Sequence, residues 1–297
     1  MTSATAEPDG RLRDLRGQVV LVTGASRGVG AATALALAEA GCTVACAARA
    51  TSEQPQRTPG TIDDVVRRIE DAGGQALAVP TNLADENQVV AMVGKTVEHL
   101  GRVDVLVNNA AITFVGDLDI PLKRHDLVME VNLRAPLVAM REVTPHMIRQ
   151  GGGAIVNISS AAALHPHPGL MSYGISKIGL ERLTVDAAAQ LQRHRVAVNC
   201  FRIDVPVASE GFVANTPGVD RSTWEPSDVA AEGIVWMVRQ PTTYSGRRES
   251  MYALRRRESI MRSRATREWD GPSPPTELFD GLAEGGETSF REPYESL

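Results

Sequence analysis

Short apolar runs alternate with longer segments of helical spacing through residues 15–254. Strands that are apolar on both faces and alternate with helices indicate a parallel sheet that helices cover on both sides. The pattern therefore predicts a doubly wound α/β fold in a single domain. The predicted strands are QVVLV (18–22), TVACA (43–47), QALAV (75–79), VDVLV (103–107), GAIVNI (153–158) and RVAVNC (195–200).

Two helix starts carry capping signals. Thr61 and Asp64 have the spacing of a capping box, for a helix that ends near Ala72. Asp85 has the side chain of an N-cap, for a helix that reaches about His99. Both helices follow predicted strands, as the alternating fold requires.

Three segments fall outside this alternation. Residues 1–14 form a polar leader, and residues 49–60 (RATSEQPQRTPG) form a polar, proline-bearing loop that we interpret as an insertion. Residues 255–297 form a C-terminal extension, basic at first and then acidic and rich in Gly, Pro and Ser. This extension is either partly disordered or packed on the core or on a partner subunit, with Ile260, Met261 and Trp269 as apolar anchors.

Composition narrows the classes of protein that this chain can be. The net charge of −5 gives no electrostatic reason to bind nucleic acid or an anionic membrane, and we expect neither partner. The polar start lacks a signal peptide's apolar core, so we expect a cytoplasmic protein. Cys42, Cys46 and Cys200 have no paired spacing; they predict reduced, partly buried thiols and no metal site.

The turn TGASRGVG (23–30) lies between a predicted strand and a predicted helix. Glycines let the backbone approach a pyrophosphate, and a helix N-terminus supplies N–H donors and a positive dipole end. The turn therefore predicts a dinucleotide site. Its contributing residues are Gly24, Ser26, Arg27, Gly28, Val29 and Gly30.

Two arginines bear on which dinucleotide binds. After the second strand, where an NAD-binding protein places an acid for the adenosine ribose, this chain has Ala48 and then Arg49. Arg49 and Arg27 suit a 2′-phosphate, which a carboxylate would repel. We predict NADP as cofactor in preference to NAD, the alternative being two ordinary surface arginines.

The segment YGISK (173–177) places a tyrosine and a lysine four residues apart. In a helix both side chains lie on one face. A free tyrosine has a pKa near 10, and a neighbouring ammonium group favours the phenolate. We expect Lys177 to lower the pKa of Tyr173 and so to make it an acid/base group.

Taken in order, five motifs resemble the short-chain dehydrogenase/reductase family, whose fold is of the Rossmann type. The resemblance covers about residues 15–252, and the 49–60 loop with PGTI is similar to the hydroxysteroid dehydrogenase-like subgroup. The motifs are TGASRGVG (23–30), NNAA (108–111), Asn132 in VNLRAP, ISS (158–160) and YGISK (173–177).

The resemblance implies a catalytic set of Asn132, Ser160, Tyr173 and Lys177. Ser160, thirteen residues before the tyrosine, would orient the substrate oxygen in preference to Ser159. Tyr173 would exchange the proton and Lys177 would also hydrogen-bond the nicotinamide ribose. Asn132 would anchor a water in a proton relay, or bond backbone at a helix kink, or do both.

The resemblance also implies further cofactor contacts. Asn109 falls where the family packs its NNAG segment against the cofactor, although Ala111 replaces the last glycine. Asn82 and Leu83 match an Asp-Val pair that contacts the adenine, with an amide in place of the carboxylate. Tyr173 and Lys177 complete the predicted cofactor-binding set.

The pattern departs from the family after the sixth strand. Ile203 and Asp204 stand where Pro-Gly is usual, and Pro206 falls near a position that normally donates a backbone N–H to the nicotinamide carboxamide. Either the loop shifts by a residue or the contact is lost. Asp204 and Glu210 are interpreted as solvated loop acids, with a substrate-facing position as the alternative.

A second loop, LHPHPGLM (164–171), would overhang the site between Ser160 and Tyr173. It carries His165 and His167, which are either substrate contacts or solvated histidines on a proline-stiffened loop.

These residues predict an NADP(H)-dependent oxidoreductase that interconverts a secondary alcohol and a carbonyl on a small to medium, apolar substrate. The alternatives are a catalytically inactive dinucleotide-binding or scaffold protein, and a dehydratase or epimerase of the same family. The resemblance implies a homo-oligomer, a dimer or a tetramer, formed through the helices that contain Asn132 and Tyr173.

Overall fold

The structure is a computed structural model that describes residues 11–215, 218 and 220–264. Its strands form one parallel sheet in the order β3-β2-β1-β4-β5-β6-β7. The strands are β1 (Val19–Thr23), β2 (Thr43–Ala48), β3 (Gln75–Pro80), β4 (Val105–Asn108), β5 (Gly153–Ser160), β6 (Val196–Ile203) and β7 (Arg248–Ser250). The α-helices are α1 (Gly28–Glu39), α2 (Ile62–Asp71), α3 (Glu86–Leu100), α4 (Leu122–Met129), α5 (Ala135–Arg149), α6 (Met171–Leu191), α7 (Glu210–Asn215), α8 (Ser227–Arg239) and α9 (Met251–Glu258).

Alternate residues of each central strand face two separate apolar cores. Val20 and Val22 of β1 pack with α1, α2, α8 and α9, whereas Leu21 packs with α3, α5 and α6. Because both faces of the sheet are buried, the strands are apolar throughout. The predicted doubly wound α/β fold is confirmed, and the sheet order reverses between β1 and β4, where such folds bind ligands at the carboxyl ends of the strands.

The predicted helix caps are present. The Thr61 hydroxyl accepts a hydrogen bond from the Asp64 N–H at 3.1 Å, and it donates to the Asp64 carboxylate at 2.8 Å. The Asp85 carboxylate accepts from the N–H groups of Asn87 and Gln88 at 3.0 and 3.4 Å. These contacts begin α2 and α3 where the sequence predicts, because they satisfy backbone donors that the first helical turn leaves free.

The strand ends differ from the sequence prediction. β5 continues to Ser160 and β6 to Ile203, and these two residues are partners in the parallel ladder. Strand β7 was not predicted, because Arg248–Ser250 is short and polar and pairs only with β6. The longer β5 and β6 carry Ser160 to the carboxyl edge of the sheet.

The C-terminal extension begins inside a helix. Helix α9 crosses residue 254, with Leu254 and Arg255 buried, and Met261 beyond it is fully buried. Ile260 packs against the same core, as expected if the basic block docks there. Trp269, the remaining predicted anchor, lies outside the described residues. Among the described helices, none is long and apolar enough to cross a membrane.

Candidate active site

The turn between β1 and α1 is built for close backbone approach. A Cβ atom on Gly30 would lie 2.2 Å from the Gly24 carbonyl oxygen, and Gly28 has a φ of +55°. Helix α1 begins with no side-chain cap on its first N–H groups. The turn therefore presents backbone donors and a positive helix end, which fits a pyrophosphate. The side chains of Ser209 and Glu210 lie 3.1 and 3.2 Å from the point where a Cβ of Gly28 would be, so they border the turn.

Asn109 fastens this turn to the end of β4. Its side-chain Nδ2 donates to the Thr23 carbonyl at 2.9 Å, and its backbone N–H donates to the Thr23 hydroxyl at 3.1 Å. The neighbouring Ala110 N–H shares that hydroxyl at 3.2 Å. Sequence reasoning identified Asn109 and missed Thr23, whose hydroxyl is the other half of the contact.

The long loop after β2 folds back onto the glycine turn. Arg27 Nη2 donates to the Gly60 carbonyl at 3.1 Å, while its Nε is buried without a hydrogen-bond partner. Burial lowers the pKa of Arg27, the charge of Glu210 opposes this shift, and the charge of Arg49 acts in the same direction as burial. Two guanidinium groups thus lie near each other, a pair that an anion would stabilise.

Asn82 and Leu83 follow β3 at the same edge of the sheet. The Asn82 side-chain oxygen accepts from the Ala84 N–H at 3.2 Å, so it shapes its own turn. Leu83 lines a narrow cleft with residues from the ends of β1 and β4, among them Thr23 and Ala110. Leu83 therefore lies at the sheet's carboxyl edge near the ends of β1 and β4, and Asn82 precedes it in the same turn.

Ser160, Tyr173 and Lys177 come together at the end of β5. The side chain of Ser160 lies close enough to Tyr173 to act on the pKa of its phenol, which it lowers. The Lys177 ammonium lies 5.5 Å from the centroid of the Tyr173 ring and donates to the Ile158 carbonyl at 2.7 Å. Tyrosine and lysine share one face of α6, as their spacing predicts, and β5 supplies both the serine and the carbonyl that holds the lysine.

The two serines of the ISS motif face different ways. Ser159 is 2% exposed and donates to the Glu181 carboxylate at 2.7 Å inside the core. Glu181 in turn accepts both arms of the buried Arg202 guanidinium at 2.8 Å. Ser160, one residue later, accepts from the Ala162 N–H at 3.3 Å and contacts Tyr173. The alternation along β5 thus brings Ser160 beside the tyrosine and Ser159 into a structural ion-pair network.

The pKa shifts of Tyr173 and Lys177 differ from the shift that the sequence predicts. We expected Lys177 to lower the pKa of Tyr173, but in this structure burial raises the pKa of the phenol, and the nearby Ser160 side chain opposes this only in part. Burial also lowers the pKa of Lys177 to about 8. The reason is that removing each group from water disfavours its charged form, and burial is the largest cause of both shifts.

Asn132 is fully buried in a π-helical turn, Glu130–Arg134, between α4 and α5. Its side chain accepts from the Ile112 N–H at 2.8 Å and donates to the Ile112 carbonyl at 2.9 Å. A third bond runs to the Ser176 hydroxyl at 3.1 Å. The backbone-bonding role at a helix irregularity, one of the two alternatives, is therefore present, and it ties the loop after β4 to α6.

The loop after β6 carries two acids that we interpreted as solvated, and the structure agrees for Glu210 but not for Asp204. Asp204 is 2% exposed and accepts from the Tyr252 N–H at 3.0 Å, so it is not the solvated acid that we expected. The error arose because its partner, at the start of α9, lies 48 residues further along the chain. Glu210 is exposed, as expected. Pro206 accepts from the Glu225 N–H at 2.8 Å through its carbonyl.

The histidine loop pairs with the loop after β4. The Gly116 N–H donates to the Gly169 carbonyl at 2.9 Å, and the Gly169 N–H donates to the Asp117 carboxylate at the same distance. His165 and His167 are both partly buried, and His165 Nε2 is buried without a hydrogen-bond partner. Neither histidine is the fully solvated group of the simpler interpretation.

Known proteins with similar sequences support the family that the motifs resemble. The sequence profile of the short chain dehydrogenase family matches residues 18–205. Hydroxysteroid dehydrogenase-like protein 2 of Mus musculus is 34% identical over 237 residues, which cover 78% of this chain and 48% of the relative. An uncharacterized oxidoreductase of Thermotoga maritima is 40% identical over 185 residues, which cover 62% of this chain and 69% of the relative.

Solved structures with this fold include two with similar sequences. A metagenomic short-chain oxidoreductase in complex with NADP has a TM-score of 0.66 and 31% identity, covering 80% of this chain and 99% of that one. A dehydrogenase/reductase from Sinorhizobium meliloti has a TM-score of 0.68 and 30% identity, covering 80% and 95%. The chain spans about half the length of the hydroxysteroid dehydrogenase-like relatives that it matches.

Proposed function

The chain belongs to the short-chain dehydrogenase family, and we propose that it is an NADP(H)-dependent oxidoreductase interconverting a secondary alcohol and a carbonyl. One observation carries this proposal: Ser160, Tyr173 and Lys177 meet at the carboxyl end of β5, on the same edge of the sheet as the glycine turn after β1. A site for proton exchange and a site for a dinucleotide thus share one crevice.

Each catalytic side chain has a distinct task. Ser160 binds the substrate oxygen, and Tyr173 gives a proton to that oxygen in reduction and takes it back in oxidation. The nicotinamide, when bound, supplies or accepts the hydride. Because its pKa is raised by burial, Tyr173 is protonated at neutral pH and is ready to donate. Lys177 binds the ribose of the cofactor and favours the phenolate when the proton has left.

The proposed preference for NADP rests on Arg27 and Arg49. The two positive charges act on each other beside the glycine turn, where the charge of Glu210 also acts on Arg27, and the Arg27 Nε has no hydrogen-bond partner among the described residues. A 2′-phosphate would give both groups charge-assisted hydrogen bonds, whereas the 2′-hydroxyl of NAD offers no charge. The family as a whole uses either dinucleotide, so this choice is specific to the arginines of this chain.

The proposed substrate is small to medium and mostly apolar. The loop that follows the Ile112–Asn132 contact exposes Val115, Leu118 and Leu122, which are 69%, 93% and 75% exposed. This loop pairs through Gly116 with the segment just before Tyr173. Apolar side chains at the rim of a site favour a substrate with apolar surface to bury.

The test is a spectrophotometric assay of NADPH and NADH oxidation over a panel of ketones and aldehydes, with product analysis. We expect oxidation of NADPH by at least one apolar carbonyl, with one alcohol formed per NADPH. Binding of NADPH without turnover on any carbonyl would favour the inactive dinucleotide-binding protein. Substrate conversion without net oxidation of the cofactor would favour a dehydratase or epimerase.

The inactive alternative draws on one feature, the loop after β6. Pro206 has no N–H to donate to a carboxamide, and the loop is already bonded to Glu225. Against it stands the complete set of Asn132, Ser160, Tyr173 and Lys177. We therefore propose catalysis, and we propose a homo-oligomer for its quaternary state. That proposal draws support from α5, where Leu137 and Ile148 are 42% and 37% exposed.

A further inference from the structure

Two segments meet at the end of β6 although the sequence separates them. We name residues 204–209 the β6 loop and residues 250–264 the C-terminal arm. The Asp204 carboxylate of the β6 loop accepts from the Tyr252 N–H, in the first turn of α9, at 3.0 Å. Burial raises the pKa of Asp204, and the hydrogen bond from the Tyr252 N–H opposes this shift. The arm thus contacts the loop directly.

Glu225 makes a second connection, through both its backbone and its side chain. Its N–H donates to the Pro206 carbonyl at 2.8 Å, and its own carbonyl accepts from the Ala208 N–H at 2.8 Å. Its carboxylate accepts from Arg255 Nη2 at 2.9 Å and from the Arg264 N–H at 3.0 Å. One residue therefore joins the β6 loop to two points of the C-terminal arm.

The Glu225–Arg255 ion pair is buried. The side chains are 1% and 7% exposed. Two charges at such depth are retained only with good geometry, and removal of one partner leaves the other uncompensated. Apolar side chains could hold the β6 loop and the C-terminal arm together at a lower desolvation cost. The directional contacts instead fix the backbone path of residues 206–208.

The backbone path of the β6 loop matters because the two ends of the loop lie beside the proposed catalytic and cofactor sites. At one end Ile203 is the ladder partner of Ser160. At the other end the Ser209 side chain lies 3.1 Å from the point where a Cβ of Gly28 would be. The loop therefore runs from the catalytic serine to the glycine turn, along the line that the pyrophosphate and nicotinamide of a bound cofactor would follow.

We propose that the C-terminal arm is a positioning element: Arg255, acting through Glu225, holds the β6 loop in the path that binds the nicotinamide half of the cofactor. In this chain it takes the place of the Pro-Gly segment that the sequence lacks after β6. The arm lies beyond residues 18–205, which the family profile matches. The inference rests on the proposed function, since it requires that a nicotinamide dinucleotide binds here.

The test compares two ligands on the full-length protein. NADPH spans the whole proposed site, whereas adenosine 2′,5′-bisphosphate carries only the adenosine half and lacks the nicotinamide. For Arg255→Met we expect a rise of about tenfold in the Kd of NADPH, equivalent to one or two lost hydrogen bonds, and a change below about twofold for the bisphosphate. We also expect KM for NADPH to rise more than kcat falls. Arg255→Lys should recover part of the NADPH affinity.

Matched controls separate this role from a purely structural one. Arg256→Met alters the exposed neighbour on α9 and should change neither affinity. If Arg255→Met does not fold, the double variant Glu225→Gln/Arg255→Met removes both buried charges and should show the same split between the ligands.

Three outcomes are decisive. Equal weakening of both ligands, or no change in either, in a folded Arg255 variant would overturn the inference and leave the ion pair a structural contact. A wild-type protein that binds the bisphosphate and NADPH equally tightly would overturn it as well, because the nicotinamide half would then contribute no affinity. A wild-type protein that binds neither ligand would instead overturn the proposed function, and the inference with it.

Discussion

The two ends of the proposed cofactor site are built in different ways. At the glycine turn, the contacts join residues at the ends of adjacent strands, and the side-chain amide of Asn109 packs against the closely spaced backbone of Gly24 and Gly30. At the β6 loop, one buried ion pair, Arg255 with Glu225, and one hydrogen bond from the Tyr252 N–H to Asp204 hold the structure. The glycine turn depends on the absence of Cβ atoms, and the β6 loop depends on an ion pair and on hydrogen bonds to side chains.

The difference determines what each end tolerates. A turn without side chains is disrupted by added volume, because a rigid backbone cannot move away. A loop held by ion pairs is disrupted by removing one charge, because the partner stays buried and uncompensated. Substitutions at the two ends should therefore fail in distinguishable ways, and the predictions below exploit this.

The largest effect should come from Tyr173→Phe. The ring keeps its packing and the only lost group is the hydroxyl that exchanges the proton, so turnover should fall by ~10²–10⁴-fold. NADPH affinity should stay within about twofold, since the glycine turn is untouched. Steady-state kinetics and fluorescence titration measure the two quantities. Turnover at the wild-type level would show that Tyr173 is not the acid/base group.

At the glycine turn, Gly30→Val should weaken every ligand alike. The new side chain would enter space occupied by the Gly24 carbonyl and the Asn109 amide, 2.2 and 2.4 Å from its Cβ. Overpacking of this kind costs ~1–3 kcal/mol, so NADPH and adenosine 2′,5′-bisphosphate should both lose roughly 10–100-fold in affinity. Gly94→Val is the control, because no atom lies within 4 Å of a Cβ there. Selective loss of one ligand would contradict this account of the turn.

Replacing Arg27 and Arg49 together by Ala should alter cofactor choice. Two charge-assisted hydrogen bonds to a 2′-phosphate would be lost, so the Kd of NADPH should rise by roughly 10–100-fold while that of NADH stays nearly constant. Isothermal titration with both cofactors measures the change. If both dissociation constants rise equally, the arginines act on something other than the 2′-phosphate.

Lys177→Met should separate stability from activity. The pKa of Lys177 falls from 10.5 to about 8 in the folded protein, so below pH 8 its buried charge costs about 3 kcal/mol of folding free energy. The variant removes that cost but leaves the Ile158 carbonyl unpaired, at ~1–3 kcal/mol. It should lose turnover without losing much stability at pH 7.

The contribution of Lys177 to the free energy of unfolding depends on pH, and the direction follows from its lowered pKa. Between pH 8 and 10.5 the unfolded wild-type chain holds a proton on Lys177 that the folded chain has released, so wild-type stability from this group rises with pH. The stability of the variant relative to the wild type should therefore decrease by about 2–3 kcal/mol from pH 7 to pH 10. Urea unfolding at both pH values measures it, and a constant difference would mean that Lys177 is not buried as a charge.

The features that the sequence predicts come mainly from local patterns, and those that it misses come from contacts between distant parts of the chain. The fold, the Thr61 and Asp85 caps and the glycine spacing of the turn follow from residues close together in the chain. The Asn109–Thr23 contact that fastens the turn joins residues 86 positions apart, and only its Asn109 half was predicted. The burial of Asp204 and the pairing of Glu225 with Arg255 join residues 48 and 30 positions apart, and no local pattern signals them. The raised pKa of Tyr173 was missed because it depends on burial in the folded protein, not on the YGISK spacing.

We propose above all that this chain transfers a hydride between NADPH and a carbonyl. The most direct measurement is the mass of the alcohol formed from NADPH deuterated at one or the other C4 position. We predict that deuterium enters the alcohol from one of the two positions only, because the site binds the nicotinamide with one face toward Tyr173. An alcohol that carries no deuterium from either position, or a failure to form any alcohol from the carbonyl panel, would contradict the claim.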